Sequence, residues 1–270
     1  MIQRLLAHLA WPVRLLWIAV ALVQNSFTVS TWIMWALPAV AMWILHPISL
    51  SVIRIASPGV IAVLISQLPD LDFMPTPVIA ATIATVALLL VYTNDFGSAH
   101  VQAGAYGSEQ LFLLRLPVSL IFPAFLSWLV MFGLLIGSEY FATNRDWFIA
   151  AAFAIVLIGS VWKLGKQLHR LSKRWLVRVP AGWVIHDGVL LAENLLIRTH
   201  QISGIQLAPA QTEALDLSGI TRGIPLEITL REMTDVRLST MLSKITKTLD
   251  AVHVQQLLVA PKQTHLIVNK

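Results

Sequence analysis

The stretch Val161–Arg178, VWKLGKQLHRLSKRWLVR, divides the chain into two halves of different character. Upstream the sequence is apolar and poor in cations; downstream it alternates and is basic. Lys163 is the first lysine. Wound as a helix, the stretch puts Lys163, Lys166, Arg170, Lys173 and Arg174 on one face, and Leu164, Leu168, Leu171 and Trp175 on the other. A helix leaving a bilayer has this make-up, with aliphatic stems on the acyl boundary and charges among lipid phosphates. The first reading is the positively charged flank of a last span. The second is a contact site for anionic lipid or a partner protein.

Composition supports a membrane protein. The 270 residues are 57% hydrophobic and 12% charged, with a mean hydropathy of +0.74. Soluble domains carry about 25% charged residues. Up to Trp162, five arginines (Arg4, Arg14, Arg54, Arg115, Arg145) face six carboxylates; the rest of the chain has 14 Lys/Arg against 8 Asp/Glu. The pI of 9.8 therefore belongs to the tail. Anionic lipid explains it without nucleic acid, for which no base-stacking motif is present. The absence of cysteine excludes disulfides, thiolate catalysis, cysteine zinc sites and iron–sulfur clusters.

Taken in order, the apolar runs predict about six spans. The N-terminus, MIQRLLAHLAWPVRLLWIAVALV, is expected to be a retained first span. Ala19-Val20-Ala21 resembles a cleavage site, but a second apolar run begins at Val29. Residues 12–45 are too long for one span of about 20 residues and are read as a tight hairpin broken at Gln24-Asn25-Ser26. Trp32, Trp35 and Trp43 are available there as interface anchors. A third span over 48–68 contains Arg54 and a kink or break at Ser57-Pro58-Gly59. Pro58 also frees the carbonyl of Arg54. Thr76 and Pro77 open a fourth span to Tyr92. The polar, glycine-rich residues 93–110 read as a loop. The fifth span follows Arg115 and Pro117, with Gly133 and Gly137 as a helix-packing pair. The last span is 147–162. The Arg/Lys asymmetry then makes both termini cytoplasmic in the cell membrane.

Three regions are expected: 1–162 a transmembrane helical domain, 163–174 a basic juxtamembrane helix, and 175–270 a small cytoplasmic α+β domain, mostly antiparallel β and barrel-like. WVIH-DG-VLL predicts a hairpin turning at Asp187-Gly188. Leu226, Ile228 and Leu230 alternate with polar residues as a half-buried strand. Shorter strands fit 195–198, 202–207, 214–217 and 256–259. An amphipathic helix over 238–249 buries Leu238, Met241, Leu242, Ile245 and Leu249, and exposes Arg237, Lys244 and Lys247 as further lipid or partner contacts.

WLVRVPAGWVIHDGVLL and LAPAQTEALDLSG resemble the tail of uncharacterised multi-span membrane proteins of actinobacterial type. Strands closed by one amphipathic helix are similar to a bacterial pleckstrin-homology-type barrel. The resemblance covers the last third of the chain and implies a docking module. It brings no functional residues, and here the helix precedes a final strand, LLVAP, where such barrels end on their helix.

For catalysis, Asp95, His100 and Glu109 are the best candidates, in a spacing that matches no metal or hydrolase motif. Asp70 and Asp72 lack the further oxygen ligands a calcium site needs. No cofactor is expected. The leading reading is therefore a non-enzymatic accessory or scaffold protein. Its partners are membrane lipids and another membrane or cytoplasmic protein. A transporter or channel component built on Arg54, and a membrane enzyme with an unfamiliar site, remain alternatives.

Overall fold

The computed structural model describes residues 10–24, 29–66, 76–247 and 251–268. Arg4, the expected break at Asn25-Ser26, the carboxylates Asp70 and Asp72, and the expected helix end at Leu249 lie outside these residues. The chain divides into two compact units: Met1–Ala103 with Ala124–His169, and Gly104–Pro123 with Arg170–Lys270.

The first unit is helical. Its helices are α1 (Trp11–Val23), α2 (Val29–Trp43), α3 (Pro47–Ser66), α4 (Thr76–Val91) and α5 (Asn94–Gln102), with most of α6 (Val118–Thr143) and α7 (Trp147–Ser172). The helices α3, α6 and α7 are long and apolar enough to cross a membrane, and α4 with α5, bent by 60°, makes a fourth candidate. Six spans are not established by helix length. The 13 residues of α1 and 15 of α2 reach only about 20 Å at 1.5 Å per residue, against a core of about 30 Å.

Small residues bring the inner helices together. Ala80, Ala84, Ala87 and Val91 form the fully buried face of α4. α1 and α2 are joined by a reciprocal pair: Trp17 Nε1 donates to the Trp35 carbonyl at 3.0 Å, and Trp35 Nε1 to the Trp17 carbonyl at 2.9 Å. Trp35 is thus turned inward, while Trp32 and Trp43 are exposed as an anchor requires. Of the kink or break expected at Ser57-Pro58-Gly59, the break does not occur, since α3 passes through Pro58 as one helix. The expected loop 93–110 also contains α5. Thr93 caps it by accepting from Phe96 N–H, and Asp95 sits in its first turn.

α6 and α7 form an antiparallel hairpin turning at Asn144–Asp146, where Asp146 N–H donates to the Phe141 carbonyl at 2.9 Å. Ser138 Oγ donates to the Ala150 carbonyl at 3.2 Å across the pair. Gly137 permits this approach, because a Cβ there would lie 2.6 Å from the Phe153 ring. Gly133 has open space around it, so only one of the expected pair packs.

The second unit holds two four-stranded sheets around one core. The first runs β1 (Gln110–Leu113), β2 (Trp175–Val179), β3 (Gly182–His186), β4 (Leu195–Arg198), all antiparallel. The second has the order β5 (Ile202–Leu207), β7 (Leu226–Arg237), β8 (Ala251–Val259), β6 (Leu215–Asp216), with only β6–β8 parallel. Leu176, Ile185 and Ile197 from one sheet meet Leu226, Ile228 and Leu257 from the other. The helix α8 (Thr240–Thr246), capped by Ser239, precedes β8 and contributes buried Leu242; a last turn, α9 (His265–Val268), follows.

Two sequence expectations change here. β1 precedes α6, outside the 175–270 range, yet pairs in register with β2, Leu113 opposite Trp175. The α6/α7 hairpin is therefore an excursion from within a sheet. The turn at Asp187-Gly188 is also corrected: the hairpin turns at Pro180-Ala181, and β3 goes on to pair with β4. Gly182 follows that turn at φ +152°, where a Cβ would lie 2.1 Å from the Ile197 carbonyl oxygen.

Candidate membrane-surface site

α7 carries the charge transition on one continuous helix. Its upstream part exposes apolar side chains such as Phe148, Ile155, Ile158 and Trp162. Lys163, Lys166 and Arg170 follow at exposed positions. The Lys166 ammonium stands 3.7 Å from the centroid of the Trp162 ring, a cation held against an aromatic at the span's edge. Lys173, just past the end of the helix, is half-buried.

Arg174 requires a correction. The helix stops at Ser172, and in the extended segment that follows Arg174 faces the opposite way, into the sheet unit, where it is 1% exposed. Its Nη2 lies 2.7 Å, and its Nε 2.8 Å, from Asp187 Oδ2. Nη1 donates to the Arg115 carbonyl at 2.8 Å and Nη2 to the Leu217 carbonyl at 3.5 Å. The other carboxylate oxygen of Asp187 accepts from Val189 N–H and Leu190 N–H. The ion pair is thus dry and fully bonded, the condition under which a buried pair is tolerated. It also ties the two ends of the α6/α7 hairpin together, Arg115 before α6 and Arg174 after α7. Leu114 N–H donating to the Arg174 carbonyl at 3.0 Å adds to that join.

The downstream cations are dispersed. Arg237 ends β7 and lies 3.5 Å from Glu193, both exposed. Lys244 is exposed on α8, and Lys247 closes that helix at φ +52° with its N–H on the Ser243 carbonyl. Because α8 begins at Thr240, Arg237 is a strand residue and shares no helix face with the lysines.

Arg54 is half-buried in the helical unit, and its counterpart is backbone. Nη2 donates to the Val91 carbonyl at 3.4 Å, at the C-terminus of α4, and the guanidinium carbon lies 5.4 Å from the Tyr92 ring centroid. The Tyr92 hydroxyl donates at 3.2 Å to the Arg54 carbonyl, the one left free by Pro58. Arg54 Nε is buried without a hydrogen-bond partner among the described residues. Arg14 repeats the arrangement: Nε donates to the Met42 carbonyl near the C-terminus of α2, at 2.9 Å, and the guanidinium lies against Trp11 and Trp43. Helix C-termini carry partial negative charge, which offsets part of each arginine's charge; among the described residues neither arginine meets a carboxylate. A cavity of about 360 Å³ lies among α2, α3, α6 and α7, but its walls are apolar, Met34, Val52, Phe132 and Leu157 among them, and Arg54 does not line it.

The catalytic candidates are divided between the two units. Asp95 is exposed in α5, while His100 is buried there with Nδ1 on the Phe96 carbonyl at 2.9 Å. Glu109 belongs to the other unit and accepts from Tyr106 N–H at 3.4 Å. Among the described residues no three histidine or acidic side chains gather as metal ligands. Sequence reasoning missed Asp187, Tyr92 and the carbonyl of Arg115 as partners. Arg115 and Arg174 are separated by the whole α6/α7 hairpin, and none of these contacts joins residues close enough in sequence to leave a local signal. No protein-family model, curated protein or solved structure matches the chain.

Proposed function

We propose that the chain is an integral membrane accessory or scaffold protein, without catalysis of its own, whose sheet domain works at the cytoplasmic face against anionic lipid headgroups. One observation carries the reading: exposed Lys163, Lys166 and Arg170 directly follow the lipid-facing part of α7. Each cation near an anionic surface contributes about 1 kcal/mol, screened by salt over about 10 Å. The cytoplasmic side follows from the excess of Lys/Arg on the tail. The likeness of the tail to a pleckstrin-homology-type barrel is part of the same proposal, as a docking function.

The test uses the full chain purified in mild detergent, with co-purified phospholipid identified by mass spectrometry. Wild type should be enriched in anionic over zwitterionic lipid. Replacing Lys163, Lys166 and Arg170 by glutamine should remove the enrichment without unfolding the protein. An unchanged lipid profile in that variant, or a stoichiometric protein partner with no anionic lipid, would overturn the lipid reading.

A further inference from the structure

The loop Ser218–Pro225, between β6 and β7, packs on the point where α6 begins. Val118, the first residue of α6, has an N–H that its own helix cannot satisfy, and it donates to the Ile220 carbonyl at 3.1 Å. Gly219, at φ +69°, sits so close to Pro117 that a Cβ would lie 3.0 Å from that ring. Arg115 Nη1 donates to the Arg222 carbonyl at 2.7 Å, and its guanidinium occupies the place of a Cβ at Gly223. The Asp216 carboxylate fixes the loop from below, accepting from the backbone N–H groups of Ser218, Gly219 and Ile220. The loop is therefore held rigidly at the mouth of a membrane helix.

Its outward face is apolar. Ile220 is 79% exposed and Ile224 58%. Ile220 adopts φ +57°, a left-handed conformation in which a β-branched residue is strained and glycine or asparagine would be at ease. Strain of this kind persists where the surrounding structure over-determines the backbone, as the bonds of Ile220 to Asp216 and Val118 do here. Beside it, the first turn of α6 exposes Val118, Ile121 and Phe122, so the loop extends the apolar surface of a lipid-facing helix. Exposed Arg222 and half-buried Arg115 supply cations at the same level.

We propose that Ser218–Pro225 is an interfacial membrane-binding loop. Ile220 and Ile224 enter the acyl–headgroup boundary beside α6, and Arg115 and Arg222 reach lipid phosphates. The occupant is the bilayer, because the loop is continuous with a helix face that lipid must already cover. The inference rests on α6 crossing lipid and is independent of the basic segment of α7.

The cysteine-free chain allows a direct test. Single cysteines at Ile220, Ile224, Phe122 and Met233 carry spin labels in the full protein in nanodiscs, with relaxation by oxygen compared with a water-soluble nickel chelate. Phe122 on α6 is the lipid reference. Met233, 63% exposed and roughly 20 Å along β7 from Leu226, is the water reference. Labels at Ile220 and Ile224 should favour oxygen, as at Phe122, and lose the nickel accessibility seen at Met233. In the Ile220→Gly background, which keeps the turn and removes the anchor, the Ile224 label should shift toward nickel. Nickel accessibility at both loop sites equal to Met233, with Phe122 dry, overturns the loop alone. A nickel-accessible Phe122 overturns the membrane reading of α6 as well.

Discussion

Each unit of this protein buries arginine, and the two do so differently. In the sheet unit Arg174 meets a carboxylate and two carbonyls, and every polar atom of the pair is satisfied. In the helical unit Arg54 and Arg14 meet helix-terminal carbonyls and aromatic faces, and the carbonyl of Arg54 is taken by Tyr92. A carboxylate placed within a helix long and apolar enough to cross a membrane would add a second desolvated charge, at roughly 2.5–3.5 kcal/mol on insertion scales. A helix C-terminus offers about half a negative charge already paid for by the fold. The difference follows the surroundings each unit offers: the sheet unit buries a full ion pair, whereas the apolar helical unit disperses a single cation over dipoles and rings.

The comparison breaks first at Arg174. Arg174→Gln leaves the Asp187 carboxylate buried and unpaired, and should cost about 3–5 kcal/mol. Hydrogen exchange of β2 and β3 amides in the full chain reads that loss, and Arg174→Gln with Asp187→Asn should recover part of it. A single variant as well protected as wild type would show that the pair does not organise the sheet unit. Tyr92 gives a smaller effect. Tyr92→Phe removes the donor to the Arg54 carbonyl and should lower stability in detergent by about 1 kcal/mol. Arg54→Leu should cost no more than about 2 kcal/mol, since among the described residues it strands no carboxylate. A larger loss there would mean that Arg54 answers a negative charge. Arg237→Gln marks the lower end: its partner Glu193 is exposed, and denaturation should move by less than about 0.5 kcal/mol. Burial, not charge, separates the first variant from the last.

What the sequence made legible was local. The alternation of Leu226, Ile228 and Leu230, the start signal at Thr76-Pro77 and the carbonyl freed by Pro58 all depend on residues a few positions apart, and each has its counterpart in β7, α4 and the Tyr92 bond. What failed depended on distant partners or on where an element stops. Gln110–Leu113 falls between the expected loop 93–110 and the fifth span with no strand signal, because a four-residue strand has no period of its own and its partner lies beyond α6 and α7. Asp187-Gly188 carries a strong hairpin cue, but the carboxylate is committed to Arg174 and to the loop amides. Arg174 fits the basic helix face only if the helix reaches it; ending two residues earlier reverses its direction. The exposed Lys163, Lys166 and Arg170 were legible because α7 continues through them.

The insertion of α6 and α7 between β1 and β2 also sets an order of assembly. During synthesis β1 emerges before either helix, and its partner β2 only after both have been made. The first strand must wait, edge exposed, until the whole α6/α7 hairpin has been made. Only when Arg174 leaves the ribosome can it bond the Arg115 carbonyl and bring the two ends together. The sheet unit can therefore be completed only by a chain whose α6/α7 hairpin brings its two ends back together, and a chain that fails to return leaves β1 without its partner.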